Sequence, residues 1–291
     1  HGNRRVFSTL FLWTPERTVV DKKVAFAQLT RRWRADKLPP VLTLKDQHRR
    51  EGEAILRRAG VPEGAWYVCL HMRSAAFNDQ GLSNHNALRN VDIETYLPAV
   101  RRVVEEGGWV LRMGDPGMPP LPEMEHVVDY ARSPLKSALM DVFLCATCRF
   151  FIASQSGLQY VAKNFGRPLV ATNQLPEVLP DVDDDDIWLP RMLHSDRLGR
   201  PLSFREAFSP PYVNTEVRSA LDRLGVRPLA NTAEEIEAAV TEMLDRCAGR
   251  LAYDRADEEL QRRFRQACDY HGYGQCGRVA RRFLREHVDH L

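Results

Sequence analysis

Short apolar runs alternate with segments of helical periodicity over residues 66–173. Continuous apolar runs are typical of strands in a parallel sheet, because helices cover both faces of such a sheet. The pattern predicts strands over 67–70, 109–113, 126–129, 150–153 and 168–172. Since helical segments separate most of these strands, the sequence predicts an α/β fold with a parallel sheet covered by helices.

The helices are predicted from apolar positions that recur every three or four residues. The clearest covers 92–104, with Asp92 as its N-cap and a pair of glycines after its end. Further helices are predicted over 44–58, 136–145, 158–165, 232–247, 257–268 and 277–287. The chain is thereby divided into an N-terminal linker region over 1–65, a sheet-containing region over 66–210 and a C-terminal helical region over 211–291.

Polar side chains follow the first predicted strand at its carboxyl end, the edge at which open α/β sheets bind ligands. His71 and Arg73 are two residues apart, so in an extended chain they project to the same side. An arginine fork matches a diphosphate, and a neighbouring histidine can donate a hydrogen bond or exchange a proton. The alternative is a surface arginine beside a histidine with a purely structural role.

The next two strands end in further candidates for ligand binding. Arg112, Gly114 and Asp115 follow the second strand, where the arginine can add positive charge and the glycine permits a tight turn. An exposed charge pair in a turn is the alternative. Asp129 ends the third strand, and from its place in the sheet it is a candidate contact for a nucleotide base or ribose.

A turn of small residues, Ser154, Gln155, Ser156 and Gly157, lies between the fourth strand and the next helix. Such a helix start can offer backbone N–H groups and the positive end of the helix dipole to a phosphate. A plain serine N-cap is the alternative. The sequence has no Gly-x-Ser-x-Gly and no P-loop motif, which disfavours a nucleophile elbow and a P-loop enzyme.

A long polar loop over 74–90 follows the first strand and is rich in Asn, Gly and Ser. Loops of this length without regular structure are usually functional or disordered. We interpret this one as facing the substrate. Asp79, His85 and Asp92 are the carboxylates and imidazole in or next to the loop that are candidates for the general base.

Composition narrows the class of function. The 291 residues are 44% hydrophobic and 27% charged, as in ordinary globular proteins. Lys and Arg number 41 against 39 for Asp and Glu, so the excess of positive charge that nucleic-acid binding usually requires is not evident. Without an apolar run long enough to span a membrane and without a signal peptide, we expect a cytoplasmic protein.

Two further patterns contain residue types that often bind metal ions. Cys145 and Cys148 have the spacing of half a zinc site, but a full site needs a second pair, so we predict that the cysteines are mainly buried, reduced thiols. Four consecutive aspartates over 183–186 are predicted to form a solvated loop. No metal site is therefore expected.

Several of these segments together resemble a known family. They are His-Met-Arg at 71–73, Arg-Met-Gly-Asp at 112–115, Asp-Val-Phe-Leu-Cys at 141–145, 151–158 with the serine turn, and Leu-Ser-Phe-Arg-Glu at 202–206. The region from about 66 to 210 is similar to the donor-binding half of bacterial GT-B-like glycosyltransferases from surface-polysaccharide and other glycoconjugate gene clusters. More remotely, it resembles fucosyltransferases that use GDP-fucose.

The resemblance implies a Rossmann-type donor domain in a GT-B-like fold, with residues 1–65 as a reduced or truncated acceptor side. It implies a metal-independent, inverting transfer of a sugar from a nucleotide sugar, with a GDP-sugar favoured, to a glycan or small-molecule hydroxyl. Arg73 would bind the diphosphate, and Ser154, Ser156 and Gly157 would close the nucleotide site. The alternatives are a heptosyltransferase-like enzyme that uses an ADP-sugar and a non-catalytic protein with a nucleotide-binding fold.

Overall fold

The protein is described by a computed structural model over residues 11–13, 19–73, 87–176, 182–215, 217–268 and 277–291. The strands, in chain order, are β1 (Phe11–Trp13), β2 (Val19–Asp21), β3 (Tyr67–His71), β4 (Trp109–Arg112), β5 (Val127–Val128), β6 (Phe151–Ser154), β7 (Leu169–Gln174), β8 (Ile187–Pro190), β9 (Leu193–Ser195), β10 (Arg200–Pro201), β11 (Val226–Pro228) and β12 (Arg278–Val279).

The α-helices are α1 (Lys22–Ala35), α2 (Asp46–Arg58), α3 (Leu97–Glu105), α4 (Ala138–Thr147), α5 (Gly157–Asn164), α6 (Phe204–Ala207), α7 (Arg218–Arg223), α8 (Ala233–Cys247), α9 (Arg255–Cys268) and α10 (Arg281–Glu286). Short 3-10 helices cover Ala87–Arg89, Ile93–Tyr96, Tyr130–Arg132 and Val288–His290. None of the helices within these ranges is both long and apolar enough to cross a lipid bilayer.

A seven-stranded parallel sheet in the order β12-β8-β7-β6-β3-β4-β5 forms the centre of the molecule, which confirms the predicted α/β fold. The chain moves outward from β3 to β4 and β5, then returns to the other side of β3 with β6, β7 and β8. The first six strands of this sheet along the chain, β3 to β8, therefore have the doubly wound order 3-2-1-4-5-6. The direction of this order reverses between β3 and β6. A smaller antiparallel sheet, β10-β9-β11, follows β8.

Helices cover both faces of the large sheet, because the reversal of direction sends right-handed crossovers to opposite sides. On one face α2, α4 and α5 pack side by side, and on the other α3 packs on α8. Close approach of α2 to α4 depends on Gly52, where a Cβ would collide with the ring of Phe143. The strands between these layers are almost entirely buried, as their apolar sequences predict.

The predicted helix over 92–104 is divided in two by Pro98. Its first turn is the 3-10 helix Ile93–Tyr96, which Asp92 caps as predicted by accepting a hydrogen bond from the Glu94 N–H at 3.1 Å. The α-helix then begins at Leu97, so that Pro98, which has no N–H to donate, lies in the first turn.

Two local predictions are wrong. The segment 277–287 is not one helix, because Arg278 and Val279 form β12 beside Ile187 and Trp188, and α10 starts only at Arg281. The acidic run is not simply a solvated loop, because Asp186 is 1% exposed and its carboxylate lies 2.6 Å from Nζ of Lys163. An aspartate can be buried there because a lysine and backbone N–H groups satisfy its oxygens.

Five cysteines, Cys69, Cys145, Cys148, Cys247 and Cys268, carry free thiols, and all but Cys247, which is half-buried, are buried. These five confirm the prediction that the cysteines are mainly buried, while Cys276 lies outside the described residues. Within the described part of the chain, His, Cys, Asp and Glu side chains do not gather in groups of three or more that could hold a metal ion.

Candidate functional site

The ends of β3 and β6 meet at the reversal point of the sheet, the position at which doubly wound sheets bind ligands. His71 lies beside Ala153 in the parallel register of the two strands. The backbone N–H of Arg73 donates a hydrogen bond to Oγ of Ser154 at 3.1 Å. The structure therefore brings the His-Met-Arg segment and the serine turn together, although they are far apart in the sequence.

The serine turn leads directly into α5. Gln155 takes a positive φ of 34°, which turns the chain sharply after β6. Ser156 and Gln159 form a capping box at the start of the helix, in which the N–H of Ser156 donates to Oε1 of Gln159 at 3.1 Å. The following N–H groups belong to the first turn of α5, where no intrahelical acceptors exist, so the turn offers donors to an anion.

Gly157 leaves open space at the start of this helix. A Cβ built on it would have no other protein atom within 4 Å, and its φ is not in the left-handed region. Neither crowding within the protein nor backbone strain therefore requires a glycine at this position. The missing side chain leaves room for a ligand to approach the backbone.

We expect Gly157→Ala to separate ligand binding from stability. Alanine should leave the free energy of unfolding unchanged or raise it by up to about 1 kcal/mol, because alanine forms helix more readily than glycine. The added methyl group should weaken nucleotide binding roughly tenfold by filling the space at the helix start. Urea unfolding and calorimetric titration would measure the two effects, and unchanged affinity would remove Gly157 from the site.

His71 lies among positive charges. Burial, followed by the charges of Arg73, Arg112 and Lys136, lowers the pKa of His71 to about 4. Its Nδ1 is buried without a hydrogen-bond partner among the described residues. Gly114, with a φ of 137°, follows β4 beside the imidazole, and a Cβ there would collide with Sδ of Met118 and lie 3.5 Å from Cδ2 of His71. Two of these cations are paired with carboxylates, Arg112 with Asp129 and Lys136 with Asp141, and together with burial the three positive charges keep the imidazole neutral near pH 7.

This environment should make the protein sensitive to acid through His71. Its pKa of about 4 lies below the ordinary value of 6.5, so the unfolded chain takes up the proton first as the pH falls. The contribution of neutral His71 to the free energy of unfolding amounts to about 3 kcal/mol. It is fully present above pH 6.5 and is lost as the pH falls towards 4. In urea unfolding, His71→Gln should lose less stability than the wild type between about pH 7.5 and about pH 4.5. Equal losses would contradict this assignment.

Arg112, the last residue of β4, forms an ion pair with Asp129, which directly follows the neighbouring strand β5. Nη2 of Arg112 donates to Oδ2 of Asp129 at 2.8 Å and to the Pro119 carbonyl at 2.7 Å. The arginine is 1% exposed, and its Nε and Nη1 have no hydrogen-bond partner among the described residues. Arg112 is thus buried at the end of β4, where its positive charge helps to lower the pKa of His71.

The other predicted site residues lie around this centre. Asp115 is exposed and accepts a hydrogen bond from the Gly117 N–H at 2.8 Å, so its carboxylate stabilises the turn after β4. Asp92 is exposed and caps its 3-10 helix. Asp79 and His85 lie outside the described residues.

A buried polar cluster at the ends of β7 and β8 was not predicted from the sequence. The Tyr96 hydroxyl lies 2.6 Å from Oγ1 of Thr172 and accepts from Nδ2 of Asn173 at 3.1 Å. Oδ1 of Asn173 accepts from Nε of Arg191 at 3.2 Å and from the Asn231 N–H at 3.0 Å. Polar residues directly after the apolar runs of β7 and β8 are the signal that could have indicated this cluster.

Comparisons with known proteins find little. No protein-family model matches the chain, and no curated protein does. Among solved structures, the chain is similar to a glycosyl transferase family 9 protein from Veillonella parvula, with 14% identity and a TM-score of 0.37. The similarity covers 51% of this chain and 42% of that structure, so the chain spans less than half of the length of its neighbour. Likeness at this level concerns the course of the backbone and carries no argument about activity.

Proposed function

We propose that this protein is a glycosyltransferase that moves a sugar from a nucleoside-diphosphate donor to a hydroxyl acceptor, with a GDP-sugar as the favoured donor. One observation carries the proposal. His71 and Arg73 at the end of β3 meet the serine turn and the start of α5 at the reversal point of a parallel sheet. Together they provide positive charge and backbone donors at the place where such sheets bind phosphorylated ligands.

The proposed role of these groups is to stabilise the leaving group. As the bond from the anomeric carbon to the diphosphate breaks, negative charge accumulates on the departing oxygen. The Arg73 guanidinium and the N–H groups at the start of α5 would stabilise that charge electrostatically, without a metal ion. His71 would donate a hydrogen bond to the diphosphate, and the added negative charge would raise the pKa of its imidazole from the low value of the free protein.

In an inverting transfer, the acceptor hydroxyl attacks the anomeric carbon from the side opposite the diphosphate and gives its proton to a general base. We keep Asp79, His85 and Asp92 as the candidates. Asp92 is exposed and has one carboxylate oxygen engaged in its helix cap, so its other oxygen is the one to consider for proton transfer.

Thermal unfolding in the presence of GDP, ADP, UDP, CMP and dTDP, each with and without magnesium, tests the donor class. A ligand at about 100 times its dissociation constant adds roughly 2.7 kcal/mol of stability. Stabilisation by GDP alone, independent of magnesium, is the expected result. Stabilisation by ADP would instead favour the ADP-sugar alternative, and no stabilisation by any nucleotide would contradict the proposal.

Turnover separates an enzyme from a nucleotide-binding protein. With the nucleotide that stabilises the protein, the corresponding nucleotide sugars should be hydrolysed slowly or transferred to added acceptors, with release of the nucleoside diphosphate. Gly157→Ala is a suitable control because its fold should be intact while its nucleotide site is obstructed. Binding without any release of nucleoside diphosphate would leave only the non-catalytic alternative.

A further inference from the structure

Arg191 is a buried arginine at the same edge of the sheet as the proposed donor site. It follows β8 directly, and its backbone N–H donates to the Gln174 carbonyl at the end of β7 at 2.7 Å. Only 5% of the residue is exposed. Its guanidinium is therefore held in the protein interior, two strands from the serine turn of β6 and next to the polar cluster at the end of β7.

The hydrogen-bond partners of this guanidinium are uncharged. Nε donates to Oδ1 of Asn173 at 3.2 Å, and Nη1 donates to the Leu88 carbonyl at 2.6 Å. Across the described ranges, no carboxylate forms an ion pair with Arg191. Burial lowers the pKa of Arg191, opposed only by the Tyr96 hydroxyl.

Other buried arginines of the same sheet do have anionic partners. Arg112 pairs with Asp129 at 2.8 Å, and Arg278, at the amino edge, pairs with Glu258 at 2.9 Å. Removal of a charge from water costs several kcal/mol unless another charge compensates it. A buried cation without an anion in the folded chain is thus destabilising, and such a group is expected where a ligand supplies the missing charge.

A series of hydrogen bonds leads from Arg191 to the end of β6. Asn173 bridges Arg191 and the Tyr96 hydroxyl. That hydroxyl lies 2.6 Å from Oγ1 of Thr172, which donates to the Ala153 carbonyl at 3.2 Å. Ala153 directly precedes the serine turn, so the polar cluster at the ends of β7 and β8 adjoins the site that contains Arg73.

We propose that Arg191 is a second anion-binding residue of this site and that it takes an oxyanion, a phosphate or carboxylate, of the bound ligand. The inference rests on the proposed function only in assuming an anionic ligand. It allows two sources for the oxyanion: the diphosphate that Arg73 also binds, or a separate acidic group on the sugar or the acceptor.

The test uses the full chain, Arg191→Gln, and inorganic pyrophosphate and sulfate as probes in thermal unfolding at constant ionic strength. Without a probe, Arg191→Gln should unfold at the same temperature as the wild type or higher, because a buried charge has been removed. The variant should bind pyrophosphate roughly tenfold more weakly if Arg191 binds the diphosphate. If the oxyanion is separate, sulfate added on top of saturating pyrophosphate should stabilise the wild type further but not the variant.

Arg278→Gln is the matched control, because this buried arginine lies on the same sheet at the opposite edge and has a carboxylate partner. It should lower the unfolding temperature and leave both anion effects unchanged. Arg191→Lys, which keeps the charge, should retain part of the anion effect. A loss of stability in Arg191→Gln with both anion effects intact would overturn the proposal. If Arg73→Ala abolished pyrophosphate binding while Arg191→Gln left both anion effects unchanged, the proposed function would stand and this inference would fail.

Discussion

Replacement of Lys163 by methionine is expected to lower the free energy of unfolding by about 3 to 5 kcal/mol, the range for a buried ion pair that loses one partner. Nζ of Lys163 lies 2.6 Å from Asp186 and 3.3 Å from Asp183, beside the start of β7. Burial alone would lower the pKa of Lys163, but the two carboxylates outweigh burial and raise it. Methionine fills a similar volume and leaves Asp186 buried without its cation.

The loss should depend on pH, with a defined sign. Burial raises the pKa of the Asp186 carboxyl, and without Lys163 that pKa should rise further. A carboxyl whose pKa is higher in the folded state than in the unfolded state contributes stability below the unfolded value, and this stability is lost as the pH rises from the unfolded value through the folded one. Urea unfolding should therefore show a smaller loss for Lys163→Met at about pH 5 than at about pH 8.

An exposed ion pair supplies the control. Arg218 and Asp222 lie 2.9 Å apart on α7 with both side chains more than half exposed. Arg218→Met should cost less than about 1 kcal/mol, as is usual for surface pairs. Similar losses in the two variants would show that Lys163 and Asp186 contribute no more than a surface pair.

Arg73→Ala is expected to weaken nucleoside diphosphate binding by about 1.5 to 3 kcal/mol, the range for a hydrogen bond to a charged group. The fold should tolerate this change, because the contact of residue 73 with Ser154 is made by its backbone N–H. Calorimetric titration would measure the affinity. Because the positive charge of Arg73 lowers the pKa of His71, its removal should raise that pKa, and an NMR titration would detect the change.

Arg227→Ala provides the comparison for Arg73→Ala. Arg227 is an exposed arginine paired with Asp196 at 3.3 Å in the small sheet. Like Arg73→Ala, the substitution Arg227→Ala removes an arginine side chain and one positive charge, so a non-specific effect of net charge would appear in both variants. Equal affinities of the two variants for the nucleotide would remove Arg73 from the site.

The sequence was sufficient to predict the sheet from β3 to β7 and the meeting of its polar ends. Both follow from local rules: continuous apolar runs mark buried strands, and parallel strands place their carboxyl ends at one edge. Ser154 and Arg73 could be expected near each other on that basis, and the hydrogen bond between them agrees with it. Their function as ligands of a diphosphate stays a prediction.

The features that were missed depend on partners distant in the sequence. Arg278 and Val279 form a strand only because the edge of β8 is available to them, and two residues carry no periodicity. Asp186 is buried because Lys163 on α5 reaches it, and Arg191 follows a strand that lies beyond the stretch with the clear alternation. Pairwise compensation of charge in three dimensions cannot be predicted from the polarity of single positions.

The late partner of β8 also has a consequence for folding. Ile187 and Trp188 pair on one side with β7, which is close in sequence, and on the other with residues 278–279, which follow only after the four α-helices α6 to α9. Pairing of distant segments in a parallel sheet is intrinsically slow. Until β12 arrives, one backbone edge of β8, an apolar strand, is open to pairing with another molecule. Closure of this edge therefore competes with association between incompletely folded chains, and protein concentration determines which process prevails.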